Sequence, residues 1–426
     1  MVLLAASTLA GPSWVQERLE REVDSVMEKV HQIREELHAH PEISNREEKT
    51  AEYIARHLEE AGLEVTRGIA HTGVIGILKG GKPGPVVAAR ADMDALPLPV
   101  PESTGFPFAS NVTIEHGGEK SHVMHACGHD VHMAIGLGTA MVLAARKEDL
   151  AGTVKFIFQP AEEGPPPGED GGAGMMEREG VLKDPDVSAI FALHVWPDLD
   201  VGTIGYNAGG SLAAVERIRI KIIGKQTHAA YPWKGVDPIV LASQVILALQ
   251  TIHSRQVDAR EPSIITIGVI RGGSRWNIIP GDVVLEGTVR TYSEESRADI
   301  RAKMERTLKG VTESAGGTYQ ILEYSLITPV TVNDPELTEK SVPSLEKAAG
   351  KENVVKVLPT LGGEDFAYFA RKVPGFYFRL GVRPKGQKDF PPLHSPNFGP
   401  DAGSLEVGVK AMVQLLDDYL IREGRE

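Results

Sequence analysis

The sequence predicts an α/β protein in two parts: a mixed sheet with helices on both faces, interrupted by a smaller ferredoxin-like α+β domain of order βαββαβ. Three observations lead there. The 426 residues exceed the roughly 100 to 200 of an ordinary domain. Short apolar runs alternate with helical patterns through the first half, as buried strands between helices do. Between about Tyr206 and Leu326 the texture changes to alternating strands with two helices in the split βαβ order. The implied division is 1–205 and 327–426 as two parts of the larger domain, with 206–326 inserted between them.

From Trp14 the pattern is helical, with Val23, Val26, Met27, Val30 and Ile33 at three- and four-residue spacing. The helix ends near His40-Pro41, because proline disfavours helical geometry in the residue before it. A second helix over 47–61 stops at Gly62, a C-terminal cap. Apolar runs at 74–78, 86–89, 154–158 and 189–193 read as buried strands. In the insertion, 214–223 alternates as a strand, 238–252 is an apolar helix, and 263–270 and 283–292 are strands. A charged amphipathic helix over 294–313 and a last strand over 318–326 complete it, and the larger sheet resumes near Val354 and 376–380.

Composition narrows the function classes. Apolar residues make up 42% and charged residues 24%, which is globular and excludes a disordered or collagen-like chain. A formal charge of -13 without a basic run argues against nucleic acid and for a small-molecule substrate. No run of about 18 apolar residues exists to cross a membrane as a helix. Cys127 is the only cysteine, so its sulfur serves packing or chemistry and not an intrachain disulfide. The apolar opening 1–10 lacks the basic start of a secretory signal, so a cytoplasmic protein is expected. A signal remnant or loose tail, with a periplasmic or secreted origin, is the alternative.

Four segments of the larger domain lead into acid–base or metal-type side chains. The strand through Arg90 leads to Asp92 and Asp94, that through Gln159 to Glu162 and Glu163, and that through Leu193 to His194. The fourth, 122–130, holds His122, His125, Cys127 and His129 ahead of an apolar helix that includes His132. Sites in open α/β sheets lie outside the carboxyl ends of the strands, where these groups would converge. Thiolate and imidazole are common ligands of zinc and other first-row metals, and Gly128 between Cys127 and His129 lets the backbone approach an ion. The plain alternative for Cys127 is a buried core cysteine. Neighbouring Glu162 and Glu163 point in different directions in an extended or turning segment, so one can bind metal while the other handles a proton. Alternatively they are a solvated acidic pair in a Gly/Pro-rich loop. His394 in a proline-rich loop has little packing value and reads as a ligand or as a surface histidine. His228, in the insertion, could stabilise an oxyanion if that domain closes over the site.

Several segments in order carry a family resemblance: 37–42, 90–97, 124–130, 159–164, 192–194, 362–366 and 393–396. They resemble the M20 family of metallopeptidases and amidohydrolases, in the branch of hippurate hydrolases, N-acyl-amino-acid amidohydrolases and plant auxin-conjugate hydrolases. The resemblance implies a two-metal catalytic domain and a smaller lid domain that forms a dimer contact. It implies Cys127 bridging two divalent ions, His129, Glu163, His194 and His394 as the other ligands, Glu162 as general base and Asp94 in support. His228 matches a lid histidine that polarises the scissile carbonyl in a partner subunit's site, and Asn277 and Arg290 lie where relatives hold the substrate carboxylate. Cys127 stands where many relatives have a bridging aspartate, and Asp92 where many have a metal-binding histidine. A thiolate favours zinc, carboxylates and water suit manganese, and cobalt or nickel could substitute.

The expected reaction is hydrolysis of an N-acyl amino acid, or of the C-terminal residue of a short peptide, by metal-activated water with Glu162 as base. Two other readings compete. One is a cysteine hydrolase with Cys127 as nucleophile and His129 or His194 as base, disfavoured because His129 is too close along the chain for an ordinary nucleophile–base pair. The other is a non-catalytic binding module on the same fold, against which the complete set of candidate ligands speaks.

Overall fold

Strands and helices can be followed through residues 13–98, 110–116 and 118–424, which the computed structural model describes. The opening segment 1–10 and its reading as a tail or signal remnant lie outside the described residues. The chain forms two compact units. One comprises Met1–Ala208, Asn333–Val357 and Phe369–Glu426, the other Gly209–Val332 and Leu358–Tyr368.

The larger unit is built on an eight-stranded sheet. Its spatial order is Glu64–Ile69, Gly73–Lys79, Ala151–Gln159, Lys82–Asp92, Ala189–Asp200, Gly375–Arg383, Ile204–Tyr206 and Val354–Lys356. The third to sixth of these strands run parallel. The first two add antiparallel, as does Ile204–Tyr206 against Gly375–Arg383, so the sheet is mixed. The parallel centre is buried on both faces, which is why 154–158 and 376–380 are continuous apolar runs without alternation. Helix Ser13–Ala39 turns Leu19, Val23, Val30, Ile33 and Leu37 to the core. Helix His129–Ala144 packs between it and helix Gly403–Glu423 and is buried nearly all round, so its sequence shows no polar face.

Some elements left little mark on the sequence. Edge strand Glu64–Ile69 has no buried residue, so it lacks the apolar rhythm by which a strand is read. The hairpin Thr113–His116 with Glu119–Met124 belongs to a separate three-stranded sheet with Leu96–Leu98.

In the smaller unit the spatial order is Ile264–Gly272, Asp282–Thr291, Ala214–Ile223 and Thr318–Thr328, with every pairing antiparallel. Helices Pro238–Thr251 and Glu294–Ser314 complete the βαββαβ order. Asp237 caps the first helix by accepting from the Ile239 and Val240 amides ahead of Pro238, and Ser293 caps the second through Ser296. Ile218, Ile220 and Ile222 cluster with Leu241, Val245, Leu249, Ile300, Met304 and Leu308. The first helix ends at Thr251 rather than Ile252, and a π turn over Ile252–Gln256 follows. Gly363 allows the 358–368 segment to lie against this unit, since a Cβ there would stand 2.4 Å from Val215 Cγ2.

Candidate metal centre

The carboxyl ends of the parallel strands and the first turn of helix His129–Ala144 share one place. Gly128 makes the approach feasible for two reasons. Its φ is +82°, and a Cβ on it would meet Val195 Cγ2 at 2.4 Å, so no other residue fits without a shift. Cys127 and His129, on either side, are thereby brought against strand Ala189–Asp200. Cys127 Sγ lies 3.4 Å from His194 Nε2 and 3.3 Å from His394 Nε2.

Two groups of donors share that sulfur. Cys127, His129 and His194 form a buried inner group, and Cys127, Glu163 and His394 form a more open outer one; within each, the donor atoms lie within 4.8 Å of one another. Glu162 joins His129 and Glu163 in a third group on the same scale. Its carboxylate is 3.9 Å from His129 Nε2. His394 Nε2 is 3.1 Å from Glu163 Oε1.

Hydrogen bonds at the back of the site orient the rings. His129 Nδ1 donates to the Asp94 carbonyl at 2.7 Å and His194 Nδ1 to the Val195 carbonyl at 2.7 Å, so both Nε2 atoms face inward. Among the described residues, buried His129 Nε2 has no hydrogen-bond partner. Such an atom is costly to bury unless something binds it. Two ligands of one tetrahedral zinc lie about 3.5 Å apart, given metal bonds of roughly 2.0 to 2.3 Å. The sulfur–nitrogen distances agree, so the residues present fit a divalent cation.

The electrostatics point the same way. Burial opposes charging His129, yet Asp92, Asp94 and Glu163 outweigh it and hold its pKa up at about 10. Here a proton occupies ground that attracts positive charge. Burial, then Glu163 and Glu162, push the Cys127 thiol well above its usual range. That is the reverse of what a cysteine nucleophile needs, whereas a bound cation deprotonates a coordinating thiol. Burial and then His132 keep His194 neutral, as a metal ligand must be.

Asp94 sits behind these groups. Its carboxylate accepts from Ser44 Oγ at 2.7 Å and from the backbone amides of Glu162 and Glu163 at 3.1 Å each. Burial alone would raise its pKa, but the bonds from His129, Ser44 and Glu163 outweigh that and lower it. Asp92 and His132, outside the predicted site set, form a second buried support. Asp92 accepts from Arg90 Nη1 at 2.8 Å and pairs with His132 Nδ1 at 2.6 Å. His132 Nε2 accepts from the Val195 amide at 2.9 Å, which makes Nδ1 its donor. In the sequence His132 was one of several nearby histidines; its three-residue step from His129 along a helix was the available signal.

The remaining predicted residues belong to the smaller unit. His228 and Asn277 come together there: Thr227–His228 pairs with Ile278–Ile279, and the Ala229 amide donates to the Asn277 carbonyl at 3.1 Å. His228 is exposed, and its Nδ1 accepts from the Ala230 amide. Arg290 lies on a different sheet, in strand Asp282–Thr291, where partial burial lowers its pKa.

A parallel-centred sheet whose carboxyl edge gathers thiol, imidazole and carboxylate donors is the architecture of a metal-dependent hydrolase. Comparison with known proteins is more specific. Residues 88–418 match the model of peptidase family M20/M25/M40. N-acetyl-L-cysteine deacetylase of Bacillus subtilis is 39% identical, over 86% of this chain and 82% of that protein. Thermostable carboxypeptidase 2 of Saccharolobus solfataricus is 36% identical, over 93% of this chain and 96% of that one. The crystal structure of Bacillus subtilis YXEP protein, described as a dinuclear metal binding peptidase from the M20 family, superposes with a TM-score of 0.77 at 36% identity, covering 93% and 99% of the two chains. The chain belongs to peptidase family M20/M25/M40 and is a hydrolase of amide or peptide bonds.

Proposed function

We propose that this chain is a two-metal hydrolase of N-acyl amino acids that also accepts the C-terminal residues of short peptides. The observation that carries the proposal is the single sulfur of Cys127 shared by two donor groups of different depth. Cys127, His129 and His194 would hold one ion, and Cys127, Glu163 and His394 the other. Zinc or manganese suits this mixture of thiolate, imidazole and carboxylate, with cobalt or nickel as substitutes. When bound, the ions polarise the substrate carbonyl and lower the pKa of an attacking water. Glu162, beside both groups without belonging to the sulfur-sharing pair, takes the proton from that water and passes it to the departing amine. Asp94 holds the Glu162 and Glu163 amides and so fixes where each carboxylate points.

His228, with Nδ1 occupied and the ring exposed, is assigned to meet the negative charge that develops on the carbonyl oxygen, contributed to a second copy in a homodimer. The smaller unit supports such a dimer. Strand Ile264–Gly272 is a sheet edge, and Val240 and Leu247, seven apart on helix Pro238–Thr251, are 53% and 72% exposed. Asn277, whose buried Oδ1 lacks a partner among the described residues, and half-buried Arg290 are assigned to the substrate carboxylate. Glu162→Gln tests the core of the proposal. It should leave two metals bound and lower kcat by about 100-fold or more. Wild-type turnover in that variant would reject Glu162 as the base.

A further inference from the structure

The turn that carries Glu162 and Glu163 starts from an unusual residue. Ala161 has a φ of +53°, in the left-handed region, where a side chain is disfavoured and glycine is the ordinary choice. Ala161 is also buried. Such a conformation persists only where the surroundings hold it.

The surroundings are two buried carboxylates acting on three successive amides. The Ala161 amide donates to Glu47 Oε1 at 2.9 Å, and the next two amides donate to Asp94. The second oxygen of Glu47 accepts from Thr72 Oγ1 at 2.6 Å. Glu47 has no exposed surface. Its nearness to Asp94 adds repulsion to the cost of burial. Its neighbours bind the same region: Ser44 donates to Asp94, and Asn45 donates to Glu169 and to the Asp170 carbonyl. The connector between the first two helices thus grips the Glu162 loop at several points.

We infer that Glu47 is a positioning residue, whose carboxylate holds the left-handed turn at Ala161 and thereby aims Glu162 and Glu163. This rests on the reading of Glu162 as base and Glu163 as outer ligand. Glu47 belongs to none of the donor groups and acts through the backbone of the turn.

The test uses the full chain loaded with zinc and the N-acyl amino acid that the wild type hydrolyses fastest in a panel. Glu47→Ala should lower kcat 10- to 100-fold with KM within about threefold, and should weaken the more loosely held zinc about tenfold without changing the tighter one. Glu47→Gln, which keeps an acceptor for the Ala161 amide, should restore both to within about threefold. The loss caused by Glu47→Ala should shrink several-fold in an Ala161→Gly background, where the turn is no longer strained. Should Glu47→Ala not fold, Thr72→Val, which removes one donor to Glu47, should lower kcat in the same direction. Wild-type kcat and zinc affinities in the foldable variants, no recovery by Gln, or an equal loss in the glycine background would overturn the inference. If the wild type binds two zinc ions and Glu162→Gln is inactive while the Glu47 variants behave normally, only this inference fails. An active Glu162→Gln would sink the underlying reading instead.

Discussion

The inner and outer donor groups share a sulfur yet are built differently. In the inner group Cys127, His129 and His194 are all under 10% exposed, and both imidazoles are fixed through Nδ1 to backbone carbonyls. In the outer group the His394 side chain is 51% exposed and comes from a proline-rich loop, while Glu163 follows the strained turn at Ala161. Preorganised, dry ligands bind tightly; exposed ligands on loops leave room for a substrate but hold an ion less firmly. The contrast teaches that one site can combine a structural anchor with an open working position, and it predicts two unequal metal affinities.

Removing the shared atom should have the largest effect. Cys127→Ala should lose both ions and more than about a thousandfold in turnover, measured by metal analysis and steady-state kinetics. Retention of one tightly bound ion would mean that the inner group does not depend on the sulfur. Next, His394→Ala should give up one ion while keeping the other, whereas His194→Ala should weaken the ion that resists chelation longest. Identical chelation curves for the two variants would break the distinction. A subtler change, His132→Ala, removes the acceptor that pins the Val195 amide beside His194, and should weaken only the tighter ion, by about 10- to 100-fold in competition with a chelator.

A separate effect, on stability and not on metal or turnover, concerns pH in the metal-free protein. Burial, then the charge of Asp94, raises the Glu47 pKa from 4.5 to about 7. The folded state therefore binds more protons than the unfolded one between those values, so stability falls as pH rises from about 4.5 to 7 and is lowest above 7, by about 3 kcal/mol in the limit. Glu47→Gln should flatten the dependence of the urea midpoint on pH across that window. An unchanged slope would show that Glu47 does not carry it.

How much of this was legible in the sequence depended on the kind of contact. Strand Ala214–Ile223 was readable residue by residue, because one face is buried and the other is not, and alternation records that. The buried parallel strands showed as apolar runs. Glu64–Ile69 was not readable because an exposed edge strand imposes no pattern. The site was visible as segments and motifs. Their meeting was expected from the strand ends and the family resemblance and not from any local pattern: Cys127 and His394 are 267 residues apart, and no local rhythm encodes such a contact. Glu47 was invisible for a related reason. In the run Arg46-Glu47-Glu48 it looks like a surface acid at the start of a helix, and only the fold turns it inward.

The proposed sharing of Cys127 by two ions can be tested directly in a crystal of the zinc-loaded protein, by anomalous scattering at the zinc edge. Two peaks about 3.5 to 4 Å apart, each roughly 2.3 Å from Cys127 Sγ, are the predicted result. A single peak, or two peaks of which only one touches the sulfur, would contradict it.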